Sequence, residues 1–374
     1  MAGIYIHIPF CKTRCIYCGF YSTTLLDMRN EYIDAVCREM KLRKNYLNEP
    51  ISTIYLGGGT PSMLDEDNLN KLFLYINNVY SVNANAEITM ECNPDDVTPE
   101  FANIISRLPI NRVSMGAQTF SDKRLALLHR RHNAGEVSKA VMLLRKADIH
   151  NISIDLMFGF PNESLEQWKK DIATALSLNV EHISAYSLMY EEGTPLWNML
   201  KNGKIEEIDD DLSIAMYNEL VSQLTASGYE HYEISNFAKP GFRSRHNSSY
   251  WHQVPYIGLG AAAHSFDMKS RQWNVADVRK YIKSINSNII PMERETLDKD
   301  TIMNDIITTA LRTSDGIDFK KVENMLGSEY SNQVIKNAAK HIDEGLLELI
   351  GGRLKLTKKG IYISDMIMSD IMIV

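Results

Sequence analysis

The spacing of apolar and polar positions sets the first two-thirds of the chain apart from the rest. Short apolar runs occur at Ile4–Ile8, Ser52–Gly57, Glu87–Cys92, Arg112–Ala117, Ile152–Phe158 and His182–Leu188. Runs of this length bounded by turn residues predict strands. Between them the spacing changes: Ile33, Val36, Cys37 and Met40 stand at i, i+3, i+4 and i+7, one face of a helix. Similar patterns cover roughly Asp65–Tyr80, Pro99–Leu108, Ala134–Ala147 and Leu165–Leu178. Six strand-then-helix units in succession predict an α/β fold with a parallel sheet and right-handed crossovers. Six are too few for a closed eight-stranded barrel, which leaves a doubly wound sheet or an open six-stranded barrel.

After about residue 205 the pattern breaks. A helix near Asp210–Ser227 leads into an aromatic, turn-rich stretch. From about Asp298, two helical patterns precede LLELI-GG-RLKLT, a hairpin with a two-glycine turn, and then another helix. The expected division is therefore a core at 1–205, an extension at 206–297 and a small α+β, winged-helix-like domain at 298–374. That last module has no basic recognition helix, so packing or a partner suits it better than DNA. The runs DDVTPE and EIDDDL read as solvated helix starts, where acids favour the helix dipole.

Composition narrows the function without naming it. The 374 residues are 44% hydrophobic and 23% charged, ordinary for a globular protein. A formal net charge of −7 argues against a nucleic-acid partner. There is no apolar run of membrane-spanning length and no signal-like start, so a cytoplasmic location is the expectation. Five cysteines, odd in number and mostly clustered, do not form a secreted disulfide framework.

Three of the five, Cys11, Cys15 and Cys18, fall in PFCKTRCIYCGF. The C-x3-C-x2-C spacing spans at most about 25 Å of extended chain and wraps easily around a compact centre. Thiolates are soft ligands for iron–sulfur clusters or zinc. Three of them leave one iron of a [4Fe–4S] cluster without a protein ligand; zinc with His7 as fourth ligand, or three unrelated thiols, are the competing assignments. Cys37 and Cys92 continue apolar faces and read as small buried hydrophobes.

A row of polar residues interrupts successive strand ends. TIYLGGGTPS ends in Gly57, Gly58 and Gly59, where the backbone can approach a ligand closely. Glu91 stands opposite the Ile88, Met90 and Cys92 face, Gln118 lies just past its strand, and Asp155 interrupts an apolar one. The C-terminal rim of parallel strands is where sites assemble in such folds.

C-x3-C-x2-C followed by an aromatic residue, after the first strand of an α/β chain, resembles the radical S-adenosylmethionine (SAM) superfamily. The resemblance implies a [4Fe–4S] cluster on Cys11, Cys15 and Cys18. It also implies an electron donor, and SAM chelated to the open iron and cleaved to a 5′-deoxyadenosyl radical. The ordered motifs YIHIPFC, GGGTPS, ECNPDDV, GAQTF, LHRRHN, DLMFGFP and EEGTPL are similar to the coproporphyrinogen III dehydrogenase-like branch. By that resemblance Tyr5, Gly58 and Glu91 surround the cluster-bound SAM. Tyr17, Gly19, Gly59, Thr60, Gln118, Arg130 and Asp155 complete the SAM-binding set, most of them matching contacts to a second SAM in the dehydrogenase.

Two departures point to the sister family of radical SAM heme chaperones. The chain begins almost at its first strand, where the dehydrogenase has an extension, and Phe20 stands where the dehydrogenase has a further cysteine. HNSSYW, from His246 to Trp251, fits an H-N-x-x-Y-W pattern that the resemblance assigns to heme through His246, Asn247, Tyr250 and Trp251. A histidine suits axial ligation and aromatic rings suit the porphyrin face, and Arg243 and Arg245 suit its propionates. The alternative is a surface loop carrying a structural tryptophan. His264 is a second candidate ligand whose apolar neighbours predict a core residue instead. The resemblance further implies delivery to acceptor hemoproteins such as membrane-bound cytochromes, and a homodimer. The competing function is oxidative decarboxylation of coproporphyrinogen III.

Overall fold

In the computed structural model, which describes residues 1–374, all six predicted strands form. They are β1 (Ala2–Ile8), β2 (Ile51–Gly58), β3 (Val82–Cys92), β4 (Arg112–Gln118), β5 (Asn151–Phe158) and β6 (His182–Ser187). They pair in chain order, every pair parallel. Helices cross over between them, among them Arg29–Leu42, Glu66–Val79, Ala134–Lys146 and Leu165–Ser177. Their starts are fixed locally; Ser164, for example, accepts from the Gln167 amide while the Gln167 side chain returns to the Ser164 amide.

The two faces of these strands differ in chemistry. Ile4, Ile6 and Ile8, with Ile54, Leu56, Met90, Val113, Met115, Ile154 and Ile183, join a buried cluster of 59 apolar residues beneath the helices. The alternate positions carry Tyr5, His7, Tyr55, Glu91, Arg112, Ser114, Asp155 and Ser184. The period of two thus separates an apolar, helix-covered side from a polar lumen.

The extension does not stand apart. It supplies β7 (Glu230–Glu233), β8 (Asn236–Ala238), β9 (Tyr256–Leu259), β10 (His264–Phe266), β11 (Ser270–Asn274) and β12 (Met292–Thr296). β9 pairs parallel with β1, β10 to β12 follow antiparallel, and β8 and β7 continue antiparallel from β6. The result is one twelve-stranded sheet whose order, β12-β11-β10-β9-β1-β2-β3-β4-β5-β6-β8-β7, never closes. The expected open six-stranded barrel is its middle, widened at both edges. The added strands are short, and every residue of β12 is exposed, so they carried no alternation to detect.

The C-terminal part has its own core of 15 buried residues. β13 (Ile317–Asp318), β14 (Leu347–Ile350) and β15 (Arg353–Leu356) form a separate antiparallel sheet. Gly351 and Gly352, at φ 60° and 76°, make the β14–β15 turn that favours glycine at both positions. No helix is long and apolar enough to cross a membrane.

Candidate functional site

The C-terminal ends of β2 to β6 and the cysteine loop surround one cavity of about 430 Å3. Cys11, Cys15 and Cys18 line it together with Tyr17, Gly19, Gly58, Gly59, Thr60, Glu91, Gln118, Arg130, Asp155 and Asn247. Thr60 donates to Cys11 Sγ at 3.5 Å. Arg130 reaches Cys15 Sγ at 3.7 Å and also donates to Asn93 Oδ1 and the Gly116 carbonyl. One wall therefore places a cation beside a thiol that must be a thiolate to ligate iron.

His7 is not arranged as a fourth ligand. Its Nδ1 meets the Tyr5 hydroxyl at 3.0 Å and its Nε2 meets the Tyr21 carbonyl at 2.9 Å. A carbonyl only accepts, so Nε2 carries the proton and Nδ1 accepts from Tyr5. Burial pushes this ring down to about 4. With both His7 nitrogens engaged, the three thiols lack the fourth protein ligand of a structural zinc site, and the rest of the cavity has room for a nucleoside-sized ligand beside them.

The glycines make that room for separate reasons. Gly58 has φ +111°, and a Cβ there would lie 2.5 Å from the His7 ring. At Gly59 a Cβ would meet the Pro9 carbonyl carbon at 2.7 Å. Gly59 instead donates to Ile8 O at 2.8 Å, holding the end of β1 that leads into the cysteines. At Gly19 any side chain would run into the Glu191 carboxylate, a cavity-lining group from the EEGTPL motif that was not among the expected site residues.

Glu91 is the buried acceptor of the site. Tyr55 Oη donates to its Oε1 at 2.7 Å and the Gly58 amide to its Oε2 at 3.1 Å. Burial pushes its carboxyl up to about 7, with the Tyr55 hydrogen bond opposing. Asp155 is likewise raised by burial, against hydrogen bonds from Ser184 and Ser114. Gln118 reaches the cavity through a register shift between Gly116 and Gln118 opposite β5, and takes φ 64°. A bulge that re-aims a side chain at a site edge is a recurring device.

The remaining expected residues lie elsewhere. Tyr5 is not in the cavity wall; it packs below it, its ring 6.2 Å from that of Tyr55. HNSSYW is a short helix, Arg245–Trp251, which we call the plug helix, with Ser244 as its cap. Glu87 accepts from the Arg245 and His246 amides at 3.0 and 2.9 Å. His246 is only 1% exposed. Its Nδ1 meets Thr53 Oγ1 at 2.9 Å and its Nε2 meets the Tyr250 hydroxyl at 2.8 Å. Burial pushes this ring down to about 3. The Trp251 indole nitrogen is buried without a partner. Arg243 and Arg245 line a separate, shallower cavity of about 280 Å3 with His252, Ser248 and Ser249.

His264 corrects an expectation. It is exposed rather than core, its ring stacked 6.1 Å from Trp273. Ala261 and Ala263 are buried around it, but the His264 side chain itself stays in solvent. Phe20, 72% exposed, stands on the rim of the main cavity. Cys37 and Cys92 are buried in the apolar core, as expected.

Comparison with known proteins locates this architecture. The Radical SAM superfamily model matches residues 5–175, and the HemN C-terminal domain model matches residues 297–363. The heme chaperone HemW of Bacillus subtilis is 35% identical over 368 residues, 96% of each chain. The chain belongs to the HemW family of radical SAM proteins.

The HemW of Lactococcus lactis is 32% identical over 96% of this chain and 94% of its own. That of Escherichia coli is 35% identical over 70% of this chain and 69% of its own. Among solved structures, the coproporphyrinogen III oxidase HemN of Escherichia coli superposes with a TM-score of 0.86. It covers 99% of this chain and 89% of its own at 21% identity, a likeness of fold. Membership in the radical SAM superfamily brings a [4Fe–4S] cluster and SAM as cofactors of this chain.

Proposed function

We propose that this chain is a heme chaperone that binds heme and passes it to acceptor hemoproteins, with cluster and SAM controlling the transfer. The observation that carries the reading is near-complete coverage by relatives named heme chaperones, together with a three-thiol cavity whose wall includes Asn247 of the HNSSYW helix. Cys11, Cys15 and Cys18 would hold the cluster, which would supply one-electron reduction for SAM. Glu91 accepts the ribose hydroxyls of SAM, the Gly58–Gly59 backbone admits its amino-acid end, and Tyr5 supports the floor through Tyr55. Tyr17, Gly19, Thr60, Gln118, Arg130 and Asp155 complete the SAM-binding wall, most of them at positions that match contacts to a second SAM in the dehydrogenase.

His246 supplies the axial nitrogen for heme, and Tyr250, Trp251 and Asn247 the surrounding contacts. In the seated plug helix both nitrogens of His246 are engaged, so ligation requires the helix to open. Arg243 and Arg245 sit at the outer end of that helix, where propionates would meet them. The acceptors are hemoproteins such as membrane-bound cytochromes, approached from the cytoplasm, and the chain works as a homodimer. Oxidation of coproporphyrinogen III is the second reading, and Phe20 at the cavity rim speaks against it. The test is heme addition to purified protein: a Soret band that shifts in His246→Gln supports the site, and an unaltered band removes His246 from it.

A further inference from the structure

Tyr55 touches both ligand sites, although no sequence motif singles it out. Its hydroxyl donates to Glu91 Oε1 at 2.7 Å, and its ring lies 5.0 Å from the His246 ring at 28°. Gly57 leaves the space for this pair, since a Cβ there would come 2.7 Å from Tyr55 Cε1. On its other edges His246 is held by Thr53 and Tyr250. The first two amides of the plug helix are held by Glu87, on the same strand and the same face as Glu91. The next residue, Asn247, is part of the cavity wall.

From this chain of contacts we infer that Tyr55 is a positioning residue that makes SAM and heme oppose one another. A ligand resting on Glu91 and Asn247 strengthens the contacts that keep the plug helix seated, and a seated helix keeps His246 from iron. Donors on Glu91 favour its ionised form, and a charged acceptor holds the Tyr55 hydroxyl more firmly. By linkage, whatever factor SAM takes from heme affinity, heme takes from SAM affinity. The inference rests on the proposed placement of SAM on Glu91 and of heme on His246.

Tyr55→Phe keeps the ring on His246 and removes only the hydroxyl bond. Anaerobic, cluster-loaded wild-type protein and the variant are titrated with heme, with and without saturating SAM, after matched unfolding midpoints confirm folding. In the wild type SAM should weaken heme binding by about fivefold or more, the lower range for coupled sites. In Tyr55→Phe the ratio should fall to near one. Amide hydrogen exchange over residues 245–251 supplies a second readout: SAM should slow it in the wild type and not in the variant. An equal SAM effect in both proteins, no SAM effect in the wild type, or stronger heme binding with SAM would overturn the coupling. Absence of heme binding to either protein would instead remove the heme placement, and the exchange measurement would still decide whether Tyr55 links SAM to the plug helix.

Discussion

With SAM placed on Glu91 as proposed, its affinity should depend on pH. Burial pushes the Glu91 carboxyl up to about 7, even with Tyr55 and Gly58 donating to it. With that value roughly one-tenth of the protein carries an ionised Glu91 at pH 6 and about nine-tenths at pH 8. Ribose hydroxyls donate best to the ionised form, so the competent fraction sets apparent affinity. Affinity should therefore rise about tenfold from pH 6 to pH 8, equivalent to ~1.4 kcal/mol. The sign follows from the raised value: binding selects the deprotonated state, so SAM uptake below pH 7 drives a proton off Glu91. The SAM amino group titrates too, but equally in any variant. Calorimetry of reconstituted protein at pH 6, 7 and 8, beside Glu91→Gln, isolates the carboxyl. The variant should bind more weakly at pH 8 and lack that tenfold part of the slope. Parallel slopes in the two proteins would refute the role given to Glu91.

Gly58→Ala combines a left-handed backbone with a collision on His7, each of order 1–3 kcal/mol, so a loss of roughly 2–6 kcal/mol in chemical unfolding is expected; a change under about 0.5 kcal/mol would contradict the geometry. Serine at Cys11, Cys15 or Cys18 should abolish the broad visible absorbance of the reconstituted cluster, while Cys37→Ser, in the apolar core, should leave it intact. His246 is neutral in the folded chain down to about 3, below its unfolded value. The unfolded state then binds more protons between about pH 6.5 and 3, so stability is full above that window and falls as pH drops, by about 1.4 kcal/mol per unit from this group. His246→Gln should flatten that acid slope in urea unfolding, and an unchanged slope would mean the ring is not buried neutral.

The parallel core was legible because its strands obey a simple rule, apolar toward the helices and polar toward the lumen. Glu91 and Asp155 stood out as acids in apolar strands, and the cysteine spacing needed no fold at all. Tyr55 escaped because an aromatic residue in a strand looks like core; only its hydrogen bond to Glu91 reveals it. Glu191 lay in the EEGTPL motif, but its place in the cavity escaped because the approach to Gly19 joins segments far apart in sequence. The edge strands β7 to β12 escaped because strands of three to five residues carry too little periodicity. HNSSYW stands out as a motif, but its burial follows largely from Glu87 and Thr53, which the local sequence does not name, beside its own Tyr250.

The central claim is that this chain carries heme and does not oxidise porphyrin. One sample of anaerobic, cluster-loaded protein decides it. Heme is added with SAM and reductant, an apo-hemoprotein follows, and coproporphyrinogen III turnover is assayed in parallel. The account predicts a Soret band, its transfer to the apo-acceptor, and no protoporphyrinogen. Protoporphyrinogen formation, or a protein that binds no heme, would contradict it.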